Sequence, residues 1–444
     1  MKLLFQTQLS SYNLSGKFDL ATDSGWQMIC GRCRVMLALD PELEIVVTCP
    51  DLEQCIVSPY ELNADLFDMY GKRLRLMHHR IVPNALATRF DFDYLRIKKY
   101  IDDDDKRRQK RFDVVYINDP MHLRNFKCVF NDLKYRPTFV THSHFVDVPS
   151  SPKFPQEASL WYGQIEAALR SDLSFWQCES ALKQFEIEAK LELQHDRVEA
   201  IMKKSHVYDD GYSSGEINSS IDLSKIRFNV DNVTKEFRDK VVLFVPNRIG
   251  DGVRSSDYTG CGNFMRNILP ELRKLRDDFV VVCGNPNQKI SNEELEATSG
   301  QHGYVNVLKG VKGSGSFNRD EYKWIVNNTE IIVALYREDT YGGTSSRECI
   351  DLGCFPLWVD NFEYATISQQ AKWPVNFIIK RDFSNVLQTT NELIDAVKND
   401  NERMIVHCQN LQKVVRERCS YEMTTRKVMS YIQDRVDQVR NSHR

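Results

Sequence analysis

The sequence predicts two α/β halves, each built on a doubly wound parallel sheet, and three observations carry that expectation. Short β-rich runs alternate with helical stretches in two successive series. A polar, Gly- and Ser-rich segment, SHVYDDGYSSGEINSSIDLS at 205–224, separates the series and reads as a linker or exposed loop. At 444 residues the chain is too long for one ordinary core. The expected domains are 1–225 and 226–420, with a terminal helix at 421–444.

In the first half, Leu3 to Gln8 is the expected opening strand, followed by a polar loop and a helix from Trp26 to Leu39 with apolar residues at helical spacing. Glu44 to Cys49, Asp113 to Ile117 and Thr138 to Val140 are further strands bounded by turn residues. From 156 to 204, helix formers run without Gly or Pro after Gly163, which predicts a long helical region. In the second half, strands are expected at Val241–Pro246, Phe279–Cys283, Tyr304–Leu308, Glu330–Leu335, Phe355–Val359 and Val375–Lys380. Helices are expected at Asn263–Leu275 and Asp320–Asn327, and again through the C-terminus. Two such sheets side by side leave a cleft at the carboxyl ends of their strands, where ligands bind in this architecture.

Composition narrows the class. A hydrophobic content of 42% is that of a globular chain. No run approaches the roughly 18 apolar residues of a membrane span, and MKLLFQTQLSS has too short an apolar core for a signal peptide, so a soluble, cytoplasmic protein is expected. The twelve scattered cysteines read as reduced, buried thiols. Cys30 and Cys33 form a CxxC, but Cys49 and Cys55 are too widely spaced to complete a zinc knuckle, so no metal is expected there. A net charge of −3 argues against a whole-surface polyanion binder. The basic cluster Lys106, Arg107, Arg108, Lys110 and Arg111 directly follows Asp102 to Asp105 and reads as a self-neutralising exposed loop.

The most informative stretch is YGGTSSRECIDLGCFPLWV, residues 341–359. Gly342 and Gly343 precede Thr344, Ser345 and Ser346, then Glu348, Gly353 and Pro356. This reads as a loop feeding a helix N-terminus, whose backbone N–H groups and dipole favour an anion such as a diphosphate. Glu348 falls in the first turns, where a carboxylate can accept hydrogen bonds from sugar or ribose hydroxyls. Gly353 and Pro356 then end the helix and open a buried strand. Ser24 and Gly25 lie in the first βα loop, and Arg248 follows the first strand of the second half, placed to pair with a diphosphate. In TFVTHSHFVDVP, residues 138–149, His142 and His144 share one side of an extended segment, with Asp147 close behind. The pair could hold a sugar hydroxyl or phosphate; a His-x-His zinc site lacks an identifiable third ligand.

With these residues in view, the chain resembles GT-B glycosyltransferases, most closely their retaining, GT4-like branch. Arg248, Gly310 in VLKG, and the Gly342–Pro356 block with Glu348 and Gly353 carry the resemblance, together with the His-x-His segment. Glu348 is similar to the second acid of the family's E-x7-E motif, which implies contact with the nucleotide ribose. The same resemblance implies that the amides of Gly343 to Ser346 receive the diphosphate, that Arg248 and Arg254 stabilise it, and that His142 or His144 and Asp339 hold the sugar. The sequence departs from the pattern at Thr340, where the first acid would stand, although Asp339 and Glu338 are adjacent. The family's Lys after the Arg is not evident.

The Glu-to-Gly and Glu-to-Pro spacings are also similar to those of bacteriophage DNA glycosyltransferases acting on hydroxymethylated cytosine. What this implies is transfer, with retention, from a UDP-sugar to a hydroxymethylated pyrimidine in double-stranded DNA, without a required metal or other cofactor. A flipped base would need aromatic or basic neighbours, for which Tyr12 and Trp26 are available. A polysaccharide or lipid-linked glycan acceptor is the alternative, and a non-catalytic nucleotide-sugar-binding protein is a reading of another class. A dinucleotide oxidoreductase is disfavoured, because GxGxxG is missing after the first strand.

Overall fold

The computed structural model describes the chain apart from residues 10–16, 22, 84–89, 109, 132, 134, 145, 147–157, 247–259, 284–303, 307–316, 337–342 and 443–444. Two compact units result, Met1–Ser213 with Tyr421–Arg444, and Ser214–Ser420.

In the first unit, seven parallel strands form one sheet: β1 (Lys2–Gln6), β2 (Glu44–Pro50), β3 (Leu74–His79), β6 (Val114–Ile117), β7 (Thr138–Ser143), β8 (Leu173–Trp176) and β9 (Ser205–Val207). A small antiparallel hairpin, β4 (Ile81–Pro83) with β5 (Phe90–Phe92), stands apart from it. The sheet order is β3-β2-β1-β6-β7-β8-β9, so the winding direction reverses between β1 and β6. Leu3 pairs with Ile45 on one side and Val114 on the other. Strands β1, β6, β7 and β8 are buried along their whole length, and the apolar centres of β1, β6 and β7 made those three legible in sequence.

The second unit repeats the design with β10 (Val241–Val245), β11 (Phe279–Cys283), β12 (Tyr304–Asn306), β13 (Ile331–Ala334), β14 (Phe355–Val359) and β15 (Ile378–Ile379), in the parallel order β12-β11-β10-β13-β14-β15. Phe244, Val282, Ile332 and Trp324 centre one face of its core. The turn expected after the helix at 344 is present: the helix ends at Asp351, Gly353 takes φ +106°, and β14 begins at Phe355. That left-handed backbone is cheap only for glycine.

Four expectations are corrected. The segment 205–224 is no single linker: Ser205–Val207 is the edge strand β9, and the unit boundary falls after Ser213 rather than after 225. Its polarity serves ion pairs and hydrogen bonds inside both units, not solvent alone; Ser214 Oγ donates to Asp351 at 2.6 Å and Arg32 pairs with Asp210 at 3.0 Å. The terminal helix Tyr421–Ser442 returns to the first unit. Its buried Thr425, Val428, Ile432, Val436 and Val439 recur at three- and four-residue spacing, and Val428, Ile432 and Val436 join the core of that unit. The helical region 156–204 is interrupted by β8, whose LSFW carries no Gly or Pro to announce it. The basic cluster ends a helix, Tyr94–Arg108, rather than forming a loop. Asp104 on that helix is buried, 2.6 Å from both Lys2 Nζ and Arg75 Nη1, while Lys110 pairs with Glu44 at 2.7 Å.

Candidate functional site

Two polar constellations stand out, one in each unit. In the first unit, the carboxyl ends of β6, β7 and β9 bring Asn118, His142, His144 and Asp210 together. The rings of His142 and His144 stack with centroids 4.3 Å apart, as residues two apart on one strand face should. A fifth member comes from the helix Ser24–Leu39. Arg32 lies on that helix's buried face with Ile29 and Met36, and its side chain is wholly buried.

Arg32 fixes the state of the cluster. Its Nη1 lies 2.8 Å from His142 Nδ1, and its Nη2 donates to Asp210 Oδ1 at 3.0 Å and to the Asp209 carbonyl at 3.1 Å. A guanidinium can only donate, so His142 Nδ1 must accept, which makes the imidazole neutral with its proton on Nε2. Nε2 lies 3.3 Å from Asp210 Oδ1 without a hydrogen bond between them. Burial, followed by the Arg32 charge and then His144, holds the His142 pKa well below its ordinary value. The Tyr116 hydroxyl, 2.9 Å from the same Nδ1, completes the surround. Tyr208 and Tyr421 flank the guanidinium, with ring centroids 4.4 and 5.3 Å from Arg32 Cζ.

His144 is held differently. Its Nδ1 lies 2.6 Å from Asp210 Oδ1, and its Nε2 lies 3.4 Å from Asn118 Oδ1. The side chain of Asp210 retains 16% exposure against 0% for Arg32 and His142, so the Asp210–His144 edge is the accessible one. Asp210 is the third potential metal ligand that the sequence did not reveal, and the ligand atoms of His142, His144 and Asp210 fall within 4.8 Å of one another. Arg32 nonetheless already supplies a fixed positive charge to Asp210 and a donor to His142, so a divalent cation would meet an adjacent cation. This donor set therefore fits a guanidinium better than a metal.

In the second unit, the helix Thr344–Asp351 begins after Gly343, which stands at its N-cap. A Cβ on Gly343 would lie 2.1 Å from Tyr336 Oη, so only glycine allows the turn to pass this close to the ring. Gly343 N–H donates to Tyr364 Oη at 3.1 Å, and Ser346 Oγ lies 2.8 Å from the same oxygen. Ser346 is fully buried by this contact, whereas Thr344 and Ser345 are half-buried at the rim. Of the three hydroxyl residues expected at a diphosphate, Ser346 thus serves the turn itself. Glu348 is nearly buried and forked by Arg319, with Nη2 to Oε1 at 2.7 Å and Nη1 to Oε2 at 3.3 Å.

Of the other expected residues, Ser24 is exposed at the start of its helix, where Asp23 caps the Trp26 N–H at 2.8 Å. Gly25 packs so that a Cβ would meet the Gln8 carbonyl at 2.0 Å, a packing role. Trp26 is buried. Arg248, Arg254, Asp339, Gly310 and Tyr12 lie outside the described residues. Cys30 and Cys33 are buried and form no disulfide, with burial pushing Cys33 up to about 12. Arg32, Asn118, Asp210, Arg319 and Glu216 were missed. Only Arg32 left a signal, an arginine inside the apolar run ICGRCRVML.

No family model and no curated protein matches the chain. Solved structures do match in fold. HepE of Anabaena in complex with UDP and glucose superposes with a TM-score of 0.63 at 11% identity, covering 98% of this chain and 100% of that one. A glycosyltransferase from Rickettsia africae gives 0.61 at 13% identity, covering 98% of each chain. Sucrose-phosphate synthase from Thermosynechococcus elongatus gives 0.58 at 10% identity, covering 97% of this chain and 98% of that one. With two doubly wound parallel units and these likenesses along nearly its whole length, the chain has the GT-B fold.

Proposed function

We propose that this protein is a UDP-sugar-dependent glycosyltransferase that passes the sugar to an acceptor hydroxyl with retention at the anomeric carbon. The observation that carries the reading is the turn at 343–348 in a chain of GT-B fold: a glycine-gated helix N-terminus followed one turn later by a nearly buried carboxylate. The fold is that of proteins solved with UDP and glucose or with UDP-glucose, and here the same donor class is assigned to this chain.

In this reading the N-terminus of the helix Thr344–Asp351 faces the diphosphate, with Thr344 and Ser345 at its rim, and Glu348 accepts from the ribose. Arg248 and Arg254, which follow β10 in sequence, neutralise charge developing on the leaving phosphate. In the first unit, Arg32 holds Asp210 and Asp210 holds His144, the candidate for a sugar hydroxyl. Asp210 and Glu348 are both engaged by arginines, and a same-face route, in which the departing phosphate takes the acceptor proton, needs neither carboxylate released.

For the acceptor, a polysaccharide or other glycan is favoured over hydroxymethylated DNA. The basic cluster at 106–111 is partly spent internally, since Arg108 pairs with Glu44 and Asp104 and Lys110 pairs with Glu44. Among the described residues, no helix is long and apolar enough to cross a membrane.

The test is a donor screen with UDP-glucose, other UDP-sugars and GDP-sugars, run with glycans, with hydroxymethylated DNA and with neither. UDP release that rises with a glycan supports the whole reading. Release that rises with modified DNA, and falls steeply with salt, keeps the transferase and replaces the acceptor. No release from any donor, with UDP bound, favours a nucleotide-sugar-binding protein.

A further inference from the structure

Arg319 opens the helix Arg319–Asn327, directly after its N-cap Asn318. A capping box, with Asn318 Oδ1 accepting from Glu321 N–H at 2.9 Å and Glu321 Oε2 accepting from Asn318 N–H at 2.9 Å, fixes where that helix starts. Arg227 in turn holds Glu321 at 2.6 Å. The start of the helix is thereby pinned, and with it the base of the Arg319 side chain. Its guanidinium lies between two carboxylates, with Nη1 and Nη2 on Glu348 and Nε 3.3 Å from Glu216 Oε1. Tyr322 lies beneath it, ring centroid 5.6 Å from Cζ, and the Tyr322 hydroxyl donates to the Ser345 carbonyl at 3.3 Å. One arginine thus joins Glu216, Glu348 and, through Tyr322, the first turn of the helix Thr344–Asp351.

We propose that Arg319 is the positioning residue for the nucleotide ribose, orienting the Glu348 carboxylate by a two-point fork so that its remaining lone pairs meet the ribose hydroxyls. The assignment rests on the donor reading above and deepens it. A carboxylate offers about four acceptor sites, and the fork takes two of them in a fixed plane, leaving the other pair aimed in one direction. Glu216, whose Oε1 lies 3.3 Å from Nε, adds a second carboxylate charge beside the arginine stem. Lysine, a point charge with free rotation, would hold the charge but not the plane.

The experiment compares binding of UDP and of 2′,3′-dideoxyuridine diphosphate to the full chain by calorimetry, for wild type, Arg319→Gln, Arg319→Lys and Glu216→Gln. Wild type is expected to prefer UDP by about tenfold or more, as hydrogen bonds to a charged acceptor are lost with the hydroxyls. Arg319→Gln should bring that ratio close to one, Arg319→Lys should restore part of it, and Glu216→Gln should lower it least. A purely structural role would weaken both nucleotides alike and leave the ratio unchanged. An unchanged ratio in Arg319→Gln overturns the proposal; if that variant does not fold, an unchanged ratio in Arg319→Lys does so instead. Wild type that binds UDP with no preference removes the ribose role of Glu348 and this assignment, while the transferase reading stands on the donor screen. Wild type that binds no uridine nucleotide overturns the donor reading, and the assignment falls with it.

Discussion

The two units use arginine against carboxylate in opposite settings. In the first, Arg32 is wholly buried among Tyr116, Tyr208, Tyr421 and His142, and its partner Asp210 is only slightly exposed. In the second, Arg319 retains 37% side-chain exposure while its partner Glu348 is nearly buried. A buried arginine with no route to water must keep its acceptors, so the first arrangement is a fixed scaffold. An arginine at the rim can exchange partners with solvent, so the second suits a place where a ligand arrives. Similar ion pairs therefore carry different meanings, and burial of the cation tells them apart.

Four substitutions or conditions would break or sharpen this contrast. The largest effect is expected for Arg32→Met, which strands Asp210 beside His142 without its cation. A loss of about 3–5 kcal/mol in urea unfolding is expected. A loss below about 1 kcal/mol would show that the cluster relaxes around the gap.

Acid should act chiefly through the first unit. Burial lowers His79 from 6.5 to about 4, and His142 and His122 are lowered as well, chiefly by burial. Groups facing His142 are Arg32, Tyr116, His144 and Asp210. The unfolded chain takes up protons on these imidazoles near pH 6.5 while the folded chain does not. For His79 stability is therefore full above pH 6.5 and falls by about 1.4 kcal/mol per pH unit towards about pH 4, with His142 and His122 acting in the same direction. Urea midpoints across that range should show the decline, and His79→Gln should flatten it; an equal slope in the variant would assign the decline to other groups.

Gly343→Ala drives a methyl into the Tyr336 hydroxyl and should cost about 1–3 kcal/mol of stability, with a matching loss of UDP affinity. Unchanged affinity would separate the turn from the donor site. The smallest effect is expected from Tyr364→Phe, which removes the oxygen shared by Gly343 N–H and Ser346 Oγ, at about 1 kcal/mol. If Gly343→Ala and Tyr364→Phe both spare UDP affinity while the Arg319 variants reduce it, the ligand rests on Glu348 rather than on the helix N-terminus.

The sequence by itself determined the doubly wound class, most of the strands and the turn at 343–353. Strands buried on both faces read as apolar runs such as VVLFV and FVVVC, and a glycine-hydroxyl turn before a helix is a local signal. It also placed His142 and His144 on one face, because that follows from the strand period alone. Strand β8 was missed because four residues between helices carry no period. Residues 421–442 could not be assigned to the first unit, since that depends on Tyr421 N–H meeting the Tyr212 carbonyl and Thr425 meeting Tyr208, contacts between distant parts of the chain. The same holds for Arg32 with Asp210, and for Arg319 with Glu348. Which charge neutralises which is a property of three-dimensional proximity, and only the tertiary structure decided it.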